Sequence, residues 1–166
     1  MIDVYPGATF VPASADNVGG YLDPADVRLF VVHVAQGRWQ SGLDAWFRDP
    51  AAEVSAHFSV GRLGHVHQHV GLRRIAWHVA NYNDVAIGVE HLGYSGWKMT
   101  RLQANASHRL FKWLHEQFPD VPLTRTRGQD AAWFYGTTFA APLAVAGLGL
   151  LARRRPKKPS KKEQTS

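Results

Sequence analysis

The chain has no cysteine in its 166 residues. Disulfide bonds and thiolate metal ligands are therefore both excluded, and the redox compartment is left open. It also has no excess of charge where a fold would need one. Of the formal +6, the whole is carried by residues 153–166, where seven basic side chains meet one acid, Glu163. The remaining 152 residues hold twelve charges of each sign, so the high pI describes a basic tail and offers no reason to expect nucleic-acid binding. Basic residues before an apolar core are missing from the opening, MIDVYPGATFVPAS, and no secretory signal is expected there. Histidine, abundant earlier, is absent after His115, and Asp130 is the only carboxylate between Asp120 and Glu163.

One long uncharged stretch is present. Residues 131–152, AAWFYGTTFAAPLAVAGLGLLA, precede the basic cluster directly. As a helix they would extend about 33 Å, enough for a hydrocarbon core of about 30 Å. Pro142, the glycines and the threonines weaken both its hydropathy and its helix propensity, so a membrane span competes with a loose apolar tail or a buried helix. Were it to span, the basic tail would sit on the cytoplasmic side.

Hydrophobic content of 45% and charged content of 19% belong to a globular chain long enough for one domain. Residues 1–27 are rich in Pro, Gly, Ala and Asp and read as an irregular lead-in. Residues 28–35, RLFVVHVA, form a β-branched run that predicts a strand buried on both faces. Residues 42–48 predict a short helix that stops before Pro50. Segments 55–60 and 65–70 predict a hairpin around Arg62-Leu63-Gly64. The Asn81-Tyr82-Asn83-Asp84 turn leads to a strand over 85–92. Thr100 and Gln103 then have the spacing of a capping box, before an amphipathic helix carrying Leu102, Ala106, Leu110, Trp113, Leu114 and Phe118. This order predicts an α/β fold with a mixed central β-sheet flanked by helices.

Titratable side chains concentrate in residues 54–93, which hold six of the nine histidines and Glu90 within an apolar run. His33 interrupts the upstream strand, and a buried imidazole needs a partner, as a satisfied core group, a metal ligand or a catalytic base. Glu90 poses the same question more sharply, since buried carboxylates are rarer. Its neighbour His91 must point to the opposite face, so only one of the two shares His33's surroundings. His65, His67 and His69 alternate along one strand face. Same-face neighbours stand roughly 6.5–7 Å apart along a strand, wide for two ligands of one ion, which favours a polar outer face of the hairpin. His108 and His115 are expected on the helix surface.

In order along the chain, VVHVAQG, SGLDAWFRDP, VSAHFSVGRLGHVHQHV, AWH (residues 76–78) and AIGVEHLG together closely resemble the type-2 N-acetylmuramoyl-L-alanine amidases, kin of the peptidoglycan recognition proteins. The opening YPGATFVP is similar to amidase domains of actinobacterial phages and their hosts, and the likeness covers about residues 5–127. It implies zinc-assisted hydrolysis of the amide joining the muramoyl lactyl group of peptidoglycan to L-alanine. It further implies His33 as the first zinc ligand, Glu90 as the acid/base residue, and Trp77 and His78 along the substrate groove. Ala56 stands where some members carry a tyrosine, and His57 occupies a position more often structural than catalytic. The family's second and third ligands and its assisting lysine follow the long helix, and no such segment is found here. An unusual completion with His78 or Asp130 would be needed, or else the domain binds peptidoglycan without turnover. The resemblance divides the chain into a lead-in (1–27), an amidase-like domain (28–128), an apolar segment (131–152) and a basic tail (153–166). It favours the cell envelope, or a phage-encoded lysis role, as the place of action.

Overall fold

The computed structural model describes residues 3–121. Its elements are β1 (Thr9–Phe10), β2 (Val18–Tyr21), β3 (Leu29–Val34), α1 (Gln40–Arg48), β4 (Phe58–Val60), β5 (Val66–Gln68), β6 (Arg74–Ala76), β7 (Ala86–His91) and α2 (Arg101–Gln117). Five strands form one mixed sheet in the order β1-β5-β4-β7-β3, and β2 pairs with β6 in a small antiparallel sheet. β7 runs parallel to both β3 and β4, whereas β4 and β5 are the antiparallel hairpin that the turn residues predict.

Alternation along the strands separates two faces. Phe58, Val60, Val66, Ile87 and Val89 face α2 and pack with its Ala106, Leu110 and Leu114 in the main core. These α2 positions recur every four residues, the spacing of one helical stripe. His91 shares that face and meets Ser107 of α2, Nε2 to Oγ 2.9 Å. On the other face α1 inserts Leu43 and Phe47 beside Ala56 and Leu92. α1 lies over the β4–β5 side, where the Phe47 ring stands 5.0 Å from that of His69.

Four expectations need correction. The lead-in is not irregular throughout: β1 extends the main sheet beside β5, and β2 supplies half of the small sheet. β3 is not buried on both faces; it lies last in the strand order, and Val32 and Val34 are exposed. Such a β-branched run is consistent with either place, since the pattern reports strand propensity and not strand order. The capping box forms by half. Thr100 Oγ1 accepts from Gln103 N–H at 3.1 Å, but the Gln103 side chain turns inward and donates to the carbonyls of Val60 (3.0 Å) and Leu92 (2.9 Å). Two strand-end carbonyls in a buried place demand donors, and Gln103 satisfies both.

The fourth concerns the HVHQH strand. His65 is exposed, but His69 is buried and His67 largely so, because α1 covers the side on which they project. The strand is thus an inner face and not an outer one. Among the described residues no helix is long and apolar enough to cross a membrane, and the candidate span at 131–152 lies outside them, as does the basic tail.

Candidate functional site

Strand register assembles the polar residues. His33 of β3 pairs with Glu90 of β7, Glu90 with Ser59 of β4, and Ser59 with His67 of β5. Paired residues on neighbouring strands project to the same side, so these four form a row across the sheet on the face opposite α2. α1 covers the His67–Ser59 half. The His33–Glu90 half is met by His78, from the segment after β6.

His33 Nε2 and His78 Nδ1 are 3.1 Å apart. One of the two carries a proton and the other accepts it, because neither ring is charged at neutral pH. Burial holds His33 below its usual pKa, and burial with the neighbouring His57 and His33 lowers His78 to about 3. Two neutral imidazoles with facing nitrogens are a donor pair for a metal or a substrate proton. Glu90 beside them is different in kind. Its Oε2 is buried without a hydrogen-bond partner, and burial pushes its pKa up to about 7. A carboxyl that titrates near neutrality can both take and return a proton.

His78 owes its place to three neighbours. Asn83 Oδ1 accepts from the backbone N–H groups of His78 (2.9 Å) and Val79 (2.7 Å), so the Asn-Tyr-Asn-Asp turn anchors the segment. Gly88 leaves room for the ring: a Cβ at that position would stand 2.6 Å from it. His57 backs it, with ring centroids 5.8 Å apart. His57 itself is fully engaged. Gly88 N–H donates to its Nδ1 at 3.1 Å, which leaves Nε2–H to donate to the Arg74 carbonyl at 3.0 Å. With both nitrogens committed and its pKa near 4 by burial, His57 is a structural post.

An open groove of about 520 Å³ runs beside His78, lined also by Trp77, Glu53, Val54, Ala80 and Asn83. Ser55 fixes its wall: its Oγ donates to the Asn17 carbonyl (2.6 Å) and accepts from Trp77 N–H (3.0 Å). Glu53 and Ala80, both on the groove, have φ of 51°. Left-handed backbone is costly for residues with a Cβ, and such strain is held where surrounding contacts demand it.

The covered half of the row has little signature in the sequence. His69 Nδ1 donates to the Val11 carbonyl (2.9 Å), so its Nε2 accepts from Ser59 Oγ (2.8 Å), and Gln40 donates in turn to Ser59. His67 Nδ1 meets both oxygens of Asp44, at 3.0 and 3.1 Å. Asp44 lies on a helix with no local motif to mark it. The one available signal was that Ser59 interrupts the apolar β4 at a position facing His67 and His69.

A catalytic zinc takes about three protein ligands. His33 and His78 offer two facing nitrogens, but among the described residues no group of three His, Cys, Asp or Glu could hold an ion. The donors present do not complete that site, and Asp130 lies outside the described residues.

Residues 23–140 match the family model described as N-acetylmuramoyl-L-alanine amidase, more than half of the chain. N-acetylmuramoyl-L-alanine amidase A of Achromobacter lyticus is 32% identical over 108 residues, 63% of this chain and 59% of the relative, so the chain spans about three-fifths of that protein's length. Among solved structures, AmpD aligns with a TM-score of 0.61 at 22% identity, covering 77% of this chain and 92% of AmpD. A mutant of PlyL gives 0.62 at 16% identity, covering 87% and 94%. The Drosophila peptidoglycan recognition protein SA gives 0.54 at 17%, covering 70% and 76%. At such identities these structures share the fold, a mixed central sheet with flanking helices. On the family match, which spans β3 to α2 and the His33–Glu90 row, the chain belongs to the N-acetylmuramoyl-L-alanine amidase family.

Proposed function

We propose that this chain binds peptidoglycan along the groove beside Trp77 and His78 and hydrolyses the amide between the muramoyl lactyl group and L-alanine, with Glu90 as the proton-handling residue. The observation that carries this is the placement of Glu90: a buried carboxyl with a pKa near 7, paired in register with His33, which contacts the groove residue His78. In the reaction a water oxygen bonds to the lactyl carbonyl carbon as Glu90 takes one of its protons. The C–N bond then breaks, Glu90 returns the proton to the departing nitrogen, and a lactyl carboxylate and a free L-alanine amine result. His33 and His78 stay neutral and orient water and carbonyl. The family likeness and the endolysins among related folds support action on the cell wall.

Digestion of muropeptides tests this. Free peptide stems with an amino-terminal L-alanine are expected; cleavage within the sugar chain would sink the amidase reading. A second reading, a peptidoglycan-binding domain without turnover, is favoured by the donor set among the described residues, where no third ligand joins His33 and His78. Metal analysis addresses it. Two imidazoles hold zinc weakly, so less than one zinc per chain should survive dialysis. A stoichiometric ion that resists dialysis and disappears in His33→Ala would show a third donor outside residues 3–121. Sacculus binding with no released peptide would establish the second reading.

A further inference from the structure

Three loops meet at the far end of β3, β4 and β7. Gly37 and Gly93 bond to each other's carbonyls through their N–H groups, at 3.1 and 2.7 Å, tying the loop after β3 to the loop after β7. The β4–β5 turn joins them: Arg62 lies over the Trp97 ring at 4.9 Å and donates to the Lys98 carbonyl at 3.4 Å, and Gly64 abuts the backbone of Leu102. Tyr94 and Trp97 form an edge-to-face pair at 4.8 Å, and Arg38 covers Trp39 at 4.7 Å.

This tip exposes what a fold normally hides. Trp39 is 67% exposed, Trp97 49% and Leu63 72%, with Tyr94 also open. Segments 36–43, 61–65 and 93–115 contain no carboxylate, while Arg38, Arg62, Lys98 and Arg101 lie in them. Exposed Trp, Tyr and Arg in one patch is the composition of a binding surface, because rigid rings gain contact area at little entropic cost. The place matters equally. His78 packs over Gly88, two residues before Glu90, and the tip begins at Gly93, three residues after it. Along the strand the tip is therefore about 10 Å beyond the His33–Glu90 pair, on the side away from the groove.

We infer that the aromatic and cationic tip at Trp39, Arg62 and Trp97 is a second binding subsite for the peptidoglycan polymer, one that engages the strand flanking the stem held in the groove. This rests on the peptidoglycan reading above. The chemistry suits that partner: sugar rings present flat C–H faces that stack on Trp and Tyr, and peptide stems end in carboxylates that a cation-only surface attracts. A polymer offers neighbouring strands and stems to groove and tip together, and the gain in avidity follows.

Pelleting of the full chain with intact sacculi is the test, with wild type and Trp39→Ala/Trp97→Ala compared at several salt concentrations. Both rings are exposed, and an unchanged melting temperature will verify that the fold is kept. The expected result is at least a tenfold loss of sacculus affinity in the double variant, with binding of a soluble disaccharide-peptide monomer unchanged within twofold. Arg38→Glu/Lys98→Glu should give a smaller loss that vanishes at high salt. Equal pelleting of wild type and the Trp variant would overturn the subsite while leaving the groove reading intact. Loss of monomer binding together with sacculus binding would also overturn it, because the rings would then belong to the groove's own recognition. Capture on phosphatidylglycerol vesicles in preference to sacculi, lost in the Trp variant, would assign the tip to a lipid surface instead. Failure of the wild type to pellet with sacculi would overturn the peptidoglycan reading itself.

Discussion

Glu90→Gln should abolish peptide release from muropeptides, by about 10²–10⁴-fold in kcat, and at the same time stabilise the protein above neutral pH. The first effect follows from removing the carboxyl that takes and returns the proton, a contribution of about that size for a positioned acid–base group. The second follows from linkage. The folded-state pKa of Glu90 is raised from its ordinary value to about 7 because burial penalises the charged form. Folding therefore favours the protonated carboxyl: the stability it brings is complete below about pH 4.5 and is lost as pH rises through about 7. A raised pKa of this extent corresponds to a few kcal/mol at most, on the order of 1.4 kcal/mol per unit. Glutamine keeps the shape without the charge. Thermal melts at pH 4.5 and pH 8 should show near-equal stability at the lower pH and a higher Tm for the variant at the upper one. Equal melting temperatures at both would mean that Glu90 is charged and solvated in the folded protein. Full turnover by the variant would remove it from the chemistry.

Gly88→Ala is the second large effect, and it acts on His78 without replacing either histidine. The added methyl would lie 2.6 Å from the His78 ring, closer than any real contact permits, so the ring must move. Gly88 is central in β7, and its N–H is held by His57 while its carbonyl accepts from His57 N–H at 3.1 Å, so the backbone cannot easily give. The ring will then swing away from His33. Overpacking of this kind costs about 1–3 kcal/mol. Stability should fall by that amount, and peptide release should fall by more than tenfold as the His33–His78 contact is lost. A histidine NMR titration supplies the check: burial with the neighbouring His57 and His33 holds the His78 pKa down at about 3, and it should move toward the ordinary range once the ring is displaced toward solvent. An unchanged His78 titration with unchanged turnover would show that the site does not depend on this packing.

Much of the site was legible one residue at a time. The isolation of His33 and Glu90 in apolar strands marked both, since a buried polar group demands a partner. Alternation sent His91 to the opposite face from Glu90, and it meets Ser107 of α2 there. Thr100 announced the start of α2 through its side-chain oxygen, a local interaction that needs no tertiary knowledge. The lead-in was harder. β1 is two residues long and is a strand only because β5 lies beside it. Gln103 has the spacing of a local cap, yet two buried carbonyls from different strands draw it inward.

The histidine-rich stretch marks the division between the two sources. Residues close in the chain, or motifs in order along it, were enough for the location of the charge, for β3, β4, β5 and β7 with their alternation, for the start of the long helix and for the family likeness. The sequence by itself could assign His67 and His69 to one face but not say what lay over it. Only the tertiary structure decided that α1 closes over them through Asp44 and Phe47, while His78 arrives from beyond β6 to stand against His33. Periodicity fixes the side to which a residue projects; which element covers that side depends on contacts between residues far apart in the chain.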